Sequence, residues 1–243
     1  MKISVCIPMY NESKIISDTA RTLHAYMTER FGDDFEILFS NDGSTDSCDK
    51  VVEELKLPCV RVVGYEKNHG KGCAVRCAIL ESRGDIVVFT DADLAYGVEV
   101  IGDAYAVMEK GGYDMLVGSR TLHKEGYEGY TAIRKLASRT YIKILSIAGG
   151  LNLTDSQCGF KAFEGDFARR VFSKCTTDGF AFDLEAILIA NKWGGRVYEM
   201  PVKIINHRES KVNLISDALG MLKEMKKIKK KVKNLQYKSS SEA

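Results

Sequence analysis

Four apolar runs recur at helix-length intervals through residues 1–90: Ile3 to Met9, Phe35 to Ser40, Val60 to Val63 and Asp85 to Thr90. Between them, residues 12–30, 46–56 and 70–81 carry helical patterning, and Ser44-Thr45-Asp46 supplies capping residue types ahead of the second helix. Strands alternating with helices in this way predict βαβ units and a parallel sheet in a doubly wound α/β architecture. Three of the strand ends are polar: Tyr10-Asn11-Glu12, Asn41-Asp42-Gly43 and Asp91-Ala92-Asp93. A parallel sheet gathers such loops at one edge, where open α/β folds bind ligands. The pattern therefore predicts both a fold and the side of it that works.

The second half is less regular. Asp114 to Gly118, Gly159 to Phe163, Arg196 to Met200 and Val202 to Asn206 read as strands, the last two flanking Pro201. Tyr130 to Ala148 and Asp183 to Lys192 read as helices. A length of 243 residues suits one large domain with a sizeable core. Lys and Arg total 35 against 33 Asp and Glu, so bulk charge gives no ground for a nucleic-acid partner. Its distribution is uneven. Residues 222–238 hold eight Lys and one Glu, a net of +7, which leaves the rest of a +2 chain at −5. Seven Cys at scattered positions suggest reduced thiols in the cytoplasm. Cys73 and Cys77 share a helix face with no further ligand at metal-binding spacing, so core packing is expected. Met1-Lys2 leads straight into a strand-like run, with no signal peptide expected, and no stretch reaches the roughly 18 apolar residues of a membrane span.

Asp91-Ala92-Asp93 follows the apolar Ile86-Val87-Val88-Phe89-Thr90. Two carboxylates at the end of a buried strand can cap a following helix. They can equally hold a hard divalent cation, Mg²⁺ or Mn²⁺, which prefers oxygen and bridges carboxylates to substrate phosphates. Gly64…Gly70-Lys71-Gly72 has the wrong spacing for a P-loop and lacks the Ser or Thr after Lys, and no G-x-G-x-x-G follows the first strand. A nucleotide gripped without a Gly loop needs a carboxylate for base and ribose donors and an aromatic for an apolar face. Asp42 and Glu12 qualify for the first and Tyr10 for the second, although Asp42-Gly43 is also an ordinary turn signal.

Taken together these segments resemble the inverting family 2 glycosyltransferases of GT-A fold. The resemblance is carried by Ser4 to Glu12, Asn41 to Asp46, Lys67 to Gly72, Asp91-Ala92-Asp93, Gly118-Ser119-Arg120, Asp155 to Lys161 and Phe182-Asp183-Leu184-Glu185. It covers roughly residues 3–220. It is strongest toward dolichyl- or polyprenyl-phosphate β-glucosyltransferases and next toward dolichyl-phosphate mannose synthases. It implies that Pro8, Tyr10, Glu12 and Asp42 hold base and ribose. Asp91 and Asp93, with Ala92 between them, would hold Mg²⁺ or Mn²⁺ and the donor diphosphate, and Lys71, Arg120 and Arg134 would add positive charge. Asp93, Asp183 and Arg120 form the implied catalytic set. Two departures are Asn41, where the family often has Asp, and Ala95, where mannose synthases often have Gln.

A lipid-phosphate acceptor is already an anion and needs positive charge rather than a base. Arg208 and Lys211 resemble the family's basic segment near that phosphate. A saccharide acceptor, as in polysaccharide synthesis, would need a carboxylate base, Asp183 or Glu185. The alternatives stay open: Asp183 also suits a helix start, Asp155 a turn, and Arg134 with Lys135 and Arg139 a solvated helix face. The expected organisation is a catalytic domain over 1–212, a basic amphipathic helix over 213–238 and a disordered tail over 239–243. Leu214, Ala218, Met221, Met225, Ile228, Val232 and Leu235 form one stripe on that helix, with Lys on much of the remainder. Such a helix suits an anionic membrane surface, or it docks on the catalytic domain. The combined expectation is a nucleotide-sugar-dependent, peripheral enzyme at the cytosolic membrane face. A sugar-1-phosphate nucleotidyltransferase is disfavoured, since Tyr10-Asn11-Glu12 stands where that class has a Gly-rich loop.

Overall fold

The computed structural model describes residues 1–131, 135, 139, 140, 142, 143, 146, 150–206 and 214–235, with side chains in the last segment from 224 onward. Seven strands form one sheet: β1 (Ile3–Met9), β2 (Phe35–Asp42), β3 (Val60–Tyr65), β4 (Ile86–Phe89), β5 (Met115–Ser119), β6 (Lys161–Glu164) and β7 (Val197–Pro201), in the order β3-β2-β1-β4-β6-β5-β7. β6 alone among them runs antiparallel, between β4 and β5. The predicted mainly parallel, doubly wound sheet is present. Both neighbours of β1 are parallel to it, and the strand order reverses there, so the carboxyl ends of β1 and β4 form the switch point at which open α/β sheets bind ligands.

Pleating sorts the core into two layers. Val5, Ile7, Ile37, Phe39, Ile86 and Val88 face α1 (Ile16–Phe31), α2 (Cys48–Glu54) and α4 (Glu99–Gly111). Cys6, Leu38, Val87 and Phe89 face α3 (Lys71–Glu81), α5 (Gly165–Phe172), α6 (Phe182–Lys192) and α7 (Leu214–Lys233). A sheet covered on both faces needs near-continuous apolar strands, and these are. All seven Cys are free, as expected of unpaired thiols. Among the described residues no helix is long and apolar enough to cross a membrane.

The structure corrects one strand and adds two helices. Val202 to Asn206 is not a strand: Val202 N donates to Ser119 O, but the chain then leaves the sheet, and Ile205 N and Asn206 N donate to Ala95 O. α4 and α5 occupy segments to which the sequence pattern assigned nothing. Of the expected helix over 130–148, Tyr130 and Thr131 are not helical, while Lys135, Arg139, Thr140, Ile142, Lys143 and Ser146 are; Arg134 lies outside the described residues, as do Arg208 and Lys211. The basic helix is present, and its described apolar residues Met225, Ile228 and Val232 are buried against α6 and its layer. That stripe is a docking face, so the expectation of an apolar face presented to a membrane does not hold for these residues.

Candidate active site

Six carboxyl-terminal strand ends and the amino-terminal end of the antiparallel β6 share one edge of the sheet. On that edge, Asp91 and Asp93 follow β4. Asp93 Oδ1 accepts the Ala95 amide at 3.1 Å, a local turn rather than a helix cap. Helix α4 begins only at Glu99, so neither aspartate caps it. Lys71, the first residue of α3, places Nζ 2.5 Å from Asp91 Oδ1. Opposite stands Gly159, where a Cβ would lie 2.4 Å from Asp91 Oδ2. The missing side chain leaves room for the carboxylate itself.

Behind this pair runs a chain of alternating charge. Lys161 is fully buried at the start of β6, with Nζ 2.9 Å from Asp183 Oδ1, 2.7 Å from Cys158 O and 5.4 Å from the Phe89 ring centre. Burial pushes the Asp183 carboxyl above its ordinary value, with Lys161 and Lys71 opposing the shift. Burial disfavours the Lys71 ammonium, yet the Asp91 and Asp183 carboxylates raise its pKa above the ordinary value. The order Lys161, Asp183, Lys71, Asp91 thus offsets in sequence what each buried charge would cost alone. Lys161 did not emerge from the sequence as a site residue. Its signal was a cation inside the apolar run Gly159-Phe160-Lys161-Ala162-Phe163.

Arg120, at the end of β5, donates from Nε to Asp155 Oδ2 (2.7 Å) and from Nη2 to Asp155 Oδ1 (2.9 Å), while its amide reaches Oδ2 at 3.1 Å. Against burial, which disfavours the cation, the fully buried Asp155 keeps the guanidinium firmly charged. Its positive charge is therefore largely spent within the protein, and the bidentate pair fixes the wall below Tyr127, whose ring lies 5.6 Å away. Tyr96 supports the same wall by accepting the Gly159 amide at 3.2 Å. Glu185 is equally committed: Oε2 accepts the amides of Thr176 and Thr177, and Oε1 takes Lys231 Nζ at 2.5 Å.

The nucleotide candidates separate. Pro8, Tyr10 and Glu12 line the exit of β1, with Tyr10 44% exposed and its ring open to a planar ligand. Asn11 adopts φ 54° and accepts the Thr45 amide at 2.8 Å, while Asp46 accepts the Ser13 amide at 2.8 Å, so the β1 and β2 exits are laced together. Asp42 is buried, and its carboxylate accepts Tyr65 Oη, Asn68 Nδ2 and the amides of His69 and Gly70 at 2.8–3.0 Å. That set occupies its lone pairs. Asp42 therefore shapes the loop that leads into Lys71.

Asp91 and Asp93 fit a hard divalent cation as a donor set: two carboxylates two positions apart just past β4, the Asp91 side chain 32% exposed. Among the described residues no third His, Cys, Asp or Glu joins them. A cation held here would draw the rest of its oxygen ligands from a ligand's phosphates and water, the usual manner of Mg²⁺.

Residues 4–172 match the profile described as Glycosyl transferase family 2. A dolichyl-phosphate beta-glucosyltransferase of Trichomonas vaginalis is 33% identical, over 89% of this chain and 66% of its own. The dolichyl-phosphate beta-glucosyltransferase of Saccharomyces cerevisiae is 30% identical, over 92% of this chain and 72% of its own. The chain thus spans about two thirds of the length of these relatives. Among solved structures, glucosyl-3-phosphoglycerate synthase from Mycobacterium tuberculosis, in complex with Mn²⁺, UDP and glucosyl-3-phosphoglycerate, superposes with a TM-score of 0.69 at 18% identity, over 97% of this chain and 81% of that one. Mannosyl-3-phosphoglycerate synthase from Rubrobacter xylanophilus gives 0.66 at 18%, over 100% and 79%. At these identities the likeness is one of fold.

Proposed function

Because the chain belongs to glycosyl transferase family 2, whose profile covers residues 4–172, we propose that it is an inverting hexosyltransferase that moves glucose from UDP-glucose to a polyprenyl or dolichyl phosphate. The observation that carries the acceptor is the state of the two carboxylates that could serve as base. Asp183 faces Lys161, and Glu185 is held by two amides and Lys231. A sugar hydroxyl would need one of them to take its proton. A phosphate monoester arrives as an anion and needs neither. The identity to two dolichyl-phosphate beta-glucosyltransferases over 89% and 92% of the chain supports the same acceptor and sugar.

In this reading Tyr10 covers the uracil face, while Pro8 and Glu12 complete the nucleoside wall. Asp42 serves the nucleotide through the loop it holds. Asp91 and Asp93 hold Mg²⁺ or Mn²⁺, which when bound acts as a Lewis acid on the leaving diphosphate. Lys71 neutralises the same charge from the other side. An acceptor phosphate oxygen forms the new bond to the anomeric carbon as the carbon–oxygen bond to the diphosphate breaks. UDP leaves with the electron pair, no proton moves, and the anomeric configuration inverts. Arg134, Arg208 and Lys211, outside the described residues, are proposed to hold the acceptor phosphate. The exposed lysines of α7 are proposed to hold the protein against an anionic, cytosol-facing membrane.

The test is a matrix of UDP-glucose, UDP-galactose and GDP-mannose with polyprenyl phosphate or oligosaccharide acceptors, with Mn²⁺ or EDTA, scored by nucleotide release and product. UDP release confined to UDP-glucose, lipid phosphate and Mn²⁺ is the expected result. Release only with an oligosaccharide, or only from GDP-mannose, replaces the acceptor or the donor in this reading.

A further inference from the structure

The basic helix and the donor edge lie on separate parts of the fold, yet an unbroken set of polar contacts joins them. On α7, Lys231 turns away from its exposed lysine neighbours. Its Nζ contacts Glu185 Oε1 at 2.5 Å, Lys174 O at 2.6 Å and Thr176 Oγ1 at 2.6 Å. Glu185, fully buried on α6, holds the amides of Thr176 at 2.9 Å and Thr177 at 2.7 Å through its other oxygen. The 174–179 loop is thereby fixed at both its carbonyl and its amide side. The same loop grips the start of α3. Asp178 O accepts the Gly72 amide at 2.7 Å, and Asp178 Oδ1 accepts Arg76 Nη2 at 2.6 Å. Packing there leaves no slack: a Cβ on Gly72 would lie 2.5 Å from Thr177 O, and one on Gly70, at φ +112°, would lie 2.6 Å from Asp178 O. Between those two glycines is Lys71, whose Nζ meets Asp91.

We propose that Lys231 is a positioning residue that acts through Glu185 and the 174–179 loop to hold Lys71 at the donor-diphosphate site. The functional consequence rests on the donor reading given above; the mechanical link does not. Three charge-assisted or buried contacts converge on one ammonium, where docking α7 needs only the apolar face of Met225, Ile228 and Val232. The glycines flanking Lys71 leave its backbone direction to the loop it abuts. A lysine that only glued the helix down would have no reason to reach the carboxylate that orders that loop. The arrangement makes occupancy of α7 on the domain a condition for a well-placed Lys71.

The experiment uses the full chain and three variants. Lys231→Met strands the buried Glu185 charge, so the pair Lys231→Met with Glu185→Gln removes the link without leaving an orphan. Lys192→Met serves as the docking control: its Nζ reaches Lys233 O at 3.4 Å, a contact between α6 and α7 that bypasses the loop. Hydrogen exchange reads the link with no ligand present. The amides of Gly72, Cys73, Thr176 and Thr177 should exchange faster in the double variant and stay at the wild-type rate in Lys192→Met. Titration with UDP and Mn²⁺ then reads the consequence: affinity should fall roughly tenfold in the double variant, a loss typical of removing a group that orients a ligand-binding residue, and Lys231→Arg should recover part of it. Unchanged exchange at 72–73 in the folded double variant, or equal changes in Lys192→Met, overturns the proposal. Wild-type protein that shows the exchange pattern but no transfer from any nucleotide sugar would overturn the donor reading and leave the link standing.

Discussion

Lys71 and Asp91 form the contact on which the proposed chemistry turns. A lysine 2.5 Å from a carboxylate at a strand end neutralises it, and a carboxylate so paired binds a cation only if a further anion arrives to take over the lysine. The donor diphosphate is such an anion, so metal and donor are expected to bind together rather than in turn. Replacing Asp91 and Asp93 together by Asn removes the protein ligands of the proposed cation with little change in side-chain volume. Loss of a cation worth several kcal/mol to the leaving group, about 4 kcal/mol, corresponds to roughly a thousandfold slower transfer. Steady-state transfer in saturating Mn²⁺, with circular dichroism to confirm the fold, measures it; wild-type turnover would remove the metal role from both residues. At this scale the sequence showed residue type but not partnership. Asp91 and Asp93 were legible because carboxylates after an apolar run are conspicuous. That Arg120 is spent on Asp155, Asp42 on its own loop and Glu185 on Lys231 depends on contacts across 35, 23 to 28 and 46 positions of chain, which no local pattern encodes.

Helix α7 shows how an element's role depends on which face is already used. Its periodic apolar stripe was legible, but periodicity says only that a face will be covered, not by what. Met225, Ile228 and Val232 pack on the domain, which leaves Lys226, Lys227, Lys230 and Lys233 exposed. Membrane attachment through the described part of α7 is therefore expected to be electrostatic and without insertion. At on the order of 1 kcal/mol per lysine near anionic headgroups, changing these four to Gln should weaken binding to phosphatidylserine vesicles by roughly a thousandfold. Wild-type binding should itself collapse as ionic strength rises and the Debye length shrinks to about 8 Å. Co-sedimentation across a salt series checks both; equal sedimentation of the four-Gln variant, or binding indifferent to salt, would place the attachment elsewhere. The other elements divide along the same line. The β1, β2 and β4 strands stood out because both faces of the sheet are buried and their runs are continuously apolar. Residues 202–206 looked like a strand for the same reason, since Val202 and Ile204 are buried in the core, but beyond Val202 their backbone pairs with the Ala95 loop rather than with the sheet. α4 was missed although Val100, Ile101, Ala104 and Met108 fall on one face, because Gly102 and the closing glycines dilute the pattern. At Gly102 the missing side chain makes room for Tyr26 and Arg30.

For the molecule as a whole, the decisive fact is that the site belongs to no single element. Exits of β1, β2, β3, β4 and β5 and the entry of β6 all reach the same edge, so a ligand spanning nucleoside wall and carboxylates ties together segments separated by about a third of the chain. Such a ligand binds only the assembled sheet and should stabilise the entire fold rather than one loop. A ligand present at 100 times its dissociation constant contributes about 2.7 kcal/mol against global unfolding. At roughly 2–4 °C per kcal/mol for a domain of this size, the midpoint should rise by about 5–11 °C. The rise should need both components, because in the proposed site the two aspartates and the diphosphate would each supply only part of the cation's ligands. UDP with Mn²⁺ should therefore raise the midpoint well beyond UDP in EDTA or Mn²⁺ alone, and the Asp91→Asn, Asp93→Asn variant should lose the excess. Scanning calorimetry of the four conditions measures it. An equal shift from UDP with and without Mn²⁺ would mean that the nucleotide is held by the β1 and β2 exits alone, and that Asp91 faces Lys71 rather than a metal even when the donor is bound.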